Sequence, residues 1–169
     1  MLDFKSDKNI VLIGMPGVGK STIGIILAKI MTRNFIDTDV YIQTRHGKKL
    51  QDIINEKGIK VFCKIEEDYV VSLSCKRTVI ATGGSVVYSK KAMDYLKSSG
   101  ILIHLYLPLD FLEERLKDFT ERGVVMQQGQ NLRQLYNERL PLYRQYADKT
   151  IDCRGRNHEQ VISDILSEF

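Results

Sequence analysis

The chain has 169 residues, 43% of them hydrophobic, with a formal net charge of +4. That length and apolar content suit one soluble globular domain with a real core and exclude a disordered chain. No apolar run approaches the roughly 20 residues that cross a bilayer, and the basic excess forms no dense Lys/Arg block with interleaved aromatics, so neither a membrane nor nucleic acid is expected as a partner.

Taken in order, strand and helix periodicities alternate. Ile10-Val11-Leu12-Ile13 reads as a buried strand, and an amphipathic helix with Ile23, Ile26, Leu27 and Ile30 follows a glycine-rich loop. Asn34-Phe35-Ile36 reads as a short second strand ending at Asp37-Thr38-Asp39. Two helical stretches, about 39–57 and 59–73, part near Gly58. Thr78-Val79-Ile80-Ala81 is a third strand, closed by Thr82-Gly83-Gly84-Ser85, with a helix near 89–98 behind it. Ile101 to Leu107 is the longest strand, stopped by Pro108, and Asp110-Phe111-Leu112-Glu113 resembles a capping box with Asp in the Ser/Thr place. Residues from about 118 to 130, with Gly123, Gly129 and many polar side chains, form a lid candidate. A helix over about 131–145, a strand at Lys149–Asp152 and a last helix with Val161, Ile162, Ile165 and Leu166 complete the chain. The alternation predicts an α/β fold with a mainly parallel sheet. It spans a single domain, residues 1–169, with no linker or repeat.

The loop after the first strand, Gly14-Met15-Pro16-Gly17-Val18-Gly19-Lys20-Ser21, is G-x-x-x-x-G-K-[ST] in the strand–loop–helix context that motif requires. Glycines let backbone N–H groups turn around phosphate oxygens. The helix start adds partial positive charge. Lys20 supplies a point charge to the β- and γ-phosphates, and Ser21 a hydroxyl to Mg²⁺. A nucleoside triphosphate with Mg²⁺ is therefore the expected cofactor.

Parallel α/β sheets bind ligands at the carboxyl ends of their strands, where Asp37, Asp39 and Thr82-Gly83-Gly84-Ser85 also fall. If the backbone stays extended, Asp37 and Asp39 point one way. One would organise Mg²⁺ through water and the other accept hydrogen bonds from substrate hydroxyls; the plainer alternative is that Asp39 or Thr38 caps the next helix. Gly83 and Gly84 allow close approach to a ligand. Arg139 lies in the apolar register of Leu132, Leu135, Tyr136 and Tyr143, and a guanidinium turned inward wants a carboxylate or phosphate. An internal ion pair or a snorkelling side chain would also satisfy it. Arg122, in the lid candidate, would either close on a transferring phosphoryl group or stand solvated, as loop arginines commonly do. His46, His104 and His158 share no ligand spacing, and Glu66-Glu67-Asp68 reads as a solvated helix face. Cys63, Cys75 and Cys153 are odd in number, widely spaced and without C-x-x-C, which fits reduced thiols in a cytoplasmic protein. The N-terminus Met1-Leu2-Asp3-Phe4-Lys5-Ser6-Asp7 has no apolar leader segment.

Over nearly its full length the chain resembles the shikimate kinases. The resemblance rests on Gly14 to Thr22, Phe35-Ile36-Asp37-Thr38-Asp39, Phe62 through Ile65-Glu66-Glu67, Ala81-Thr82-Gly83-Gly84, Arg122-Gly123-Val124-Val125 and Arg139-Leu140-Pro141-Leu142-Tyr143. It implies a P-loop fold of the nucleoside-monophosphate-kinase type: three layers, a five-stranded parallel sheet in order 2-3-1-4-5, a lid, and a substrate-binding region over about 39–73. It also implies ATP-dependent phosphorylation of the 3-hydroxyl of shikimate; a monomer is expected. By the resemblance Lys20, Asp39 and Arg122 are catalytic; Gly14, Met15, Pro16, Gly17, Val18, Gly19, Lys20, Ser21 and Thr22 hold ATP; Arg115 and the Arg154–His158 loop, with Arg156, flank the adenine. Ser21 and Asp37 serve the metal, and Asp39, position 63, Gly83, Gly84 and Arg139 bind the substrate.

Two positions depart from the family pattern. The family carries an arginine where this chain has Cys63, sharing the substrate carboxylate with the arginine at 139, and a third glycine where this chain has Ser85. A thiol makes no bidentate charged contact. Lys60, one helical turn earlier, and the adjacent Lys64 would compensate only with shifted geometry. A kinase for another hydroxy acid or polyol, and a non-catalytic nucleotide- or metabolite-binding module, stay open beside a shikimate kinase.

Overall fold

The computed structural model describes residues 7–116, 124–127 and 129–168. The first strand, β1 (Asn9–Ile13), is buried along its whole length. Its neighbours are β2 (Asn34–Asp37), β3 (Thr78–Ala81), β4 (Gly100–Tyr106) and β5 (Lys149–Asp152), all parallel, in the order β2-β3-β1-β4-β5. The expected order is observed. Val11 pairs with Ile80 on one side and Leu102 on the other, so the centre of the sheet is apolar on both faces, as a sheet covered by helices on both sides must be.

Helix α1 (Lys20–Ile30) packs on β2 and β3. Next come α2 (Thr38–His46), α3 (Leu50–Lys57), α4 (Ile59–Ser72), α5 (Lys90–Ser99), α6 (Leu109–Arg115), α7 (Leu132–Tyr146) and α8 (His158–Ser167). α8 lies against α1 and β5, while α5 packs on β4 and α4. Short-range chemistry sets several ends. Ser89 caps α5 through the Ala92 N–H, and reciprocal capping boxes start α7 (Asn131 with Gln134) and α8 (Asn157 with Gln160).

Two expectations about helices need correction. The stretch 39–57 is not continuous: Gly47 takes a left-handed φ of 63° and ends α2, as glycine does without a Cβ penalty. Pro108, not Asp110, stands at the N-cap of α6, because proline's fixed φ suits the helix entrance and leaves Asp110 inside the first turn.

Besides the main core, a smaller apolar cluster joins Ile42, Leu50, Ile53, Ile54 and Phe62 to Val125 from the far side of the chain. It ties α2, α3 and α4 to the described part of the expected lid. No helix among the described residues is long and apolar enough to cross a membrane.

Candidate active site

The loop between β1 and α1 turns three times with positive φ, at Gly14 (145°), Gly17 (80°) and Gly19 (106°). A side chain at those angles would strain the backbone, so the glycines shape the loop. Lys20 opens α1 and is 8% exposed. Its Nζ donates to the carbonyls of Gly14 (2.8 Å) and Met15 (3.0 Å), which holds the ammonium over the loop. Burial lowers its pKa to about 8, against the opposing pull of Asp39 and Asp37.

Across from the loop, Asp37 Oδ1 accepts the N–H groups of Asp39 (3.0 Å) and Val40 (3.1 Å) and caps α2. This resolves the earlier alternatives: the backbone is extended at Asp37 but helical at Asp39, and the cap is Asp37 rather than Thr38 or Asp39. Thr38 is fully buried, and its Oγ1 accepts the Gly83 N–H at 2.9 Å. Asp39 is turned into the molecule, where burial pushes its pKa up to about 6 while Lys20 pulls the other way. The turn after β3 is fixed from three directions: Thr82 Oγ1 donates to the Leu12 carbonyl, Thr38 holds Gly83, and Tyr143 Oη donates to the Gly84 carbonyl at 2.6 Å.

One cavity of about 630 Å³ runs between these features. Its phosphate-loop end is lined by Pro16, Gly17, Gly19, Lys20, Ser21 and Thr22; its other end by Asp39, Thr82, Gly84, Ser85 and Arg139. Leu50, Phe62, Val124 and Val125 supply apolar wall, and Arg115 and His158 stand at the rim of the loop end. Gly14, Met15 and Val18 do not line it, although Met15 and Val18 are buried beneath the loop. Arg115 donates to the Val18 carbonyl at 3.3 Å.

Arg139 is fully buried, as its register suggests. It makes no ion pair with a described carboxylate and does not snorkel. Nε donates to Tyr88 Oη (3.0 Å), Nη2 to the Val125 carbonyl (2.6 Å), and the guanidinium sits 5.0 Å from the Tyr88 ring centre. Nη1 faces Gly84. A buried guanidinium held only by neutral groups retains charge for an anionic ligand.

The reading of Glu66 as part of a solvated face is overturned. Glu67 and Asp68 do pair with Lys64 (2.7 and 2.8 Å), but Glu66 is 2% exposed and points inward. Its signal lay in the helical register Phe62–Glu66–Val70, all buried. Oε2 accepts from Ser85 Oγ at 2.7 Å, and Oε1 has no hydrogen-bond partner. Burial, with the charge of Asp39 nearby, pushes the carboxyl up to about 8.

Several expected residues lie elsewhere. Cys63 does not line the main cavity; it opens on an adjoining one of about 360 Å³ with Lys60, Tyr88, Val125 and Glu138. Lys64 is committed to Glu67 and Asp68, so neither lysine replaces a guanidinium at the site. Arg156 pairs with Asp164 of α8 and does not line the cavity, which His158 of the same loop does. Gly83 lies behind the lining, wedged against both acids: a Cβ there would overlap Glu66 Oε1 and stand 2.7 Å from Asp39 Oδ1. Arg122 and Gly123 fall outside the described residues. The cysteines are free thiols, as expected.

Gly83→Ala is accordingly expected to push both carboxylates aside, at about 1–3 kcal/mol of overpacking. The acceptor KM should rise about tenfold or more (~1.4 kcal/mol per tenfold) while the nucleotide KM holds; steady-state kinetics with each substrate varied checks this, and an unchanged acceptor KM would contradict it.

A parallel sheet in this order, a phosphate loop after its first strand and an acid-lined cup facing that loop define a P-loop kinase of small molecules, with the nucleoside-monophosphate-kinase architecture. Comparison with known proteins narrows the class. A family model described as shikimate kinase matches residues 16–169. A shikimate kinase of Thermodesulfovibrio yellowstonii is 36% identical over 96% of this chain and 95% of its own, and one of Persephonella marina is 34% identical over 96% and 99%. The solved shikimate kinase of Acinetobacter baumannii, in complex with shikimate, superposes with a TM-score of 0.87 at 30% identity, covering 98% of this chain and 94% of that one. The chain belongs to the shikimate kinase family. It is a phosphotransferase with an alcohol acceptor, and ATP with Mg²⁺ is the family's phosphoryl donor.

Proposed function

We propose that this chain transfers the γ-phosphoryl group of ATP to the 3-hydroxyl of shikimate. The observation that carries the reading is a cavity with a phosphate loop at one end and, at the other, Asp39 with a buried Arg139 that pairs with no described carboxylate. The backbone from Gly14 to Thr22 and Lys20 would cradle the polyphosphate, with Arg115 and the loop of Arg156 and His158 beside the adenine. Arg139 would take the acceptor's carboxylate, and Gly83 and Gly84 would bring the backbone close beneath it.

In the transfer, Asp39 accepts the proton of the acceptor hydroxyl. The freed oxygen attacks the γ-phosphorus as the bond to the β–γ bridging oxygen breaks, and ADP leaves. Lys20 neutralises charge on the oxygens in flight, and most of the acceleration comes from such positioning and charge. The donors suit Mg²⁺ in kind: the Ser21 hydroxyl lines the cavity, Asp37 does not line it but keeps Oδ2 outside the helix cap, and hard oxygen ligands shared with phosphates suit that ion. Bound there, it would supply charge neutralisation on the phosphates. Arg122 belongs to the proposal through its motif alone, as the arginine that closes on the γ-phosphate. The same reading places a monomeric enzyme in the cytoplasm, with no nucleic-acid or membrane partner.

One observation favours a second acceptor: at this end of the cavity Arg139 is the one guanidinium among the described lining residues, because Cys63 opens elsewhere. ADP release across a panel of hydroxylated acids separates the two readings. Shikimate is expected to be turned over best; turnover no faster than ATP hydrolysis without acceptor would end the assignment, and a faster acid in the panel would replace the substrate.

A further inference from the structure

The two departures from the family pattern meet at one buried carboxyl. Ser85 closes the turn after β3, is 4% exposed, and donates from Oγ to Glu66 Oε2 at 2.7 Å. Cys63 lies three residues before Glu66 on α4, on the same face of the helix. Its thiol, raised mainly by burial, also feels the charges of Glu66 and Arg139. A cationic side chain at 63 would therefore reach the carboxyl that Ser85 now holds. Glu66 Oε1 has no partner and lies against Gly83, beside Asp39 Oδ1.

We propose that Ser85 is a positioning residue of the acceptor site: its hydroxyl anchors Glu66 in place of a cation at position 63, and the anchored carboxyl holds the Gly83 turn and Asp39 in place at the acceptor end of the cavity. The chemistry follows from the donors. A serine hydroxyl gives one hydrogen bond to one carboxyl oxygen, whereas a guanidinium would engage both. Burial and the charge of Asp39 push the Glu66 carboxyl up to about 8, which favours an anchor by a neutral hydroxyl. The cup itself then presents one cation, Arg139, and one carboxyl, Asp39. That suits a hydroxylated monocarboxylic acid held by its carboxylate at one end and by a hydroxyl at the other. The inference rests on the proposed acceptor role of this end of the cavity.

The test is a double-mutant cycle of Ser85→Ala with Glu66→Leu, which removes the acceptor of the Ser85 hydroxyl, in the full-length enzyme. Ser85→Ala should raise the shikimate KM about tenfold and leave the ATP KM within about twofold. In the Glu66→Leu background the same change should add less than about twofold, because Ser85 acts through Glu66. Cys63→Arg should recover most of the KM lost in Ser85→Ala but none of that lost in Glu66→Leu, where an arginine that only bound the substrate carboxylate would still help. Additive fold-changes, equal rises in both KM values, or no recovery by Cys63→Arg would overturn the proposal. The same cycle read by urea unfolding needs no acceptor: coupling of about fivefold or more in the unfolding constant supports the anchor, and additivity overturns it. If wild type fails to convert shikimate while the unfolding cycle is coupled, the substrate assignment falls and the anchor stands.

Discussion

Asp39→Asn is expected to lower kcat for acceptor phosphorylation by about 10²–10⁴-fold, the span of a lost general base. The amide keeps the size and the hydrogen-bonding reach of the carboxylate but cannot take the hydroxyl proton. Asp39 lines the cavity opposite Lys20, and burial raises its pKa to about 6. The sign of the pH effect follows. The active base is the carboxylate, so the rate of wild type should fall as pH drops through about 6. In Asp39→Asn that acid limb should vanish, leaving a low, flat profile. Steady-state kinetics between pH 5 and pH 8 in ~0.5-unit steps resolves the limb. A variant within tenfold of wild type, or one keeping the same limb, would mean that Asp39 only binds.

Lys20→Met should lower kcat by about 10²–10³-fold while the protein stays folded. The two outcomes come from one fact. The ammonium is buried and tied to the Gly14 and Met15 carbonyls, and desolvation drags its pKa to about 8. That charge is kept against a desolvation penalty, so removing it on an isosteric stem does not weaken packing, whereas the polyphosphate loses its cation. With Lys20's folded pKa below its ordinary value of 10.5, the stability of wild type should rise with pH between about 8 and 10.5, where the unfolded chain binds more protons. Lys20→Met should lose that slope. Urea midpoints at pH 8 and pH 10 check the stability arm, and kcat at saturating ATP checks the catalytic one. An unfolded variant, or one with full activity, would contradict the account.

Much of this was legible in the chain because the signals were local. A G-x-x-x-x-G-K-S loop between an apolar strand and an amphipathic helix leaves little freedom, and Arg139 in an apolar register announced its burial. The misses were of two kinds. Some were competitions between neighbouring signals: Gly47 against a longer helix, and Pro108 against Asp110 for the entrance of α6. Others depended on distant packing. Glu66 sits in a run of three acids that masks its place in the Phe62–Glu66–Val70 register, and the groups it meets, Ser85, Gly83 and Asp39, are distant in the chain. Cys63 opens on the adjoining cavity, from which the main one is parted by contacts such as Val125, a residue from another part of the chain that clusters with Phe62 and lines both. Arg156 is drawn to Asp164 by a helix that starts just after it. Pattern within a segment does not report such contacts.

The central claim is that one cavity seats a nucleotide and a hydroxy acid so that a phosphoryl group passes between them. The most direct measurement follows label from [γ-³²P]ATP with Mg²⁺ and shikimate in the presence of the purified chain. The account predicts label on the 3-hydroxyl of shikimate, in proportion to ADP formed. Label appearing only as inorganic phosphate, with shikimate unmodified, would contradict it.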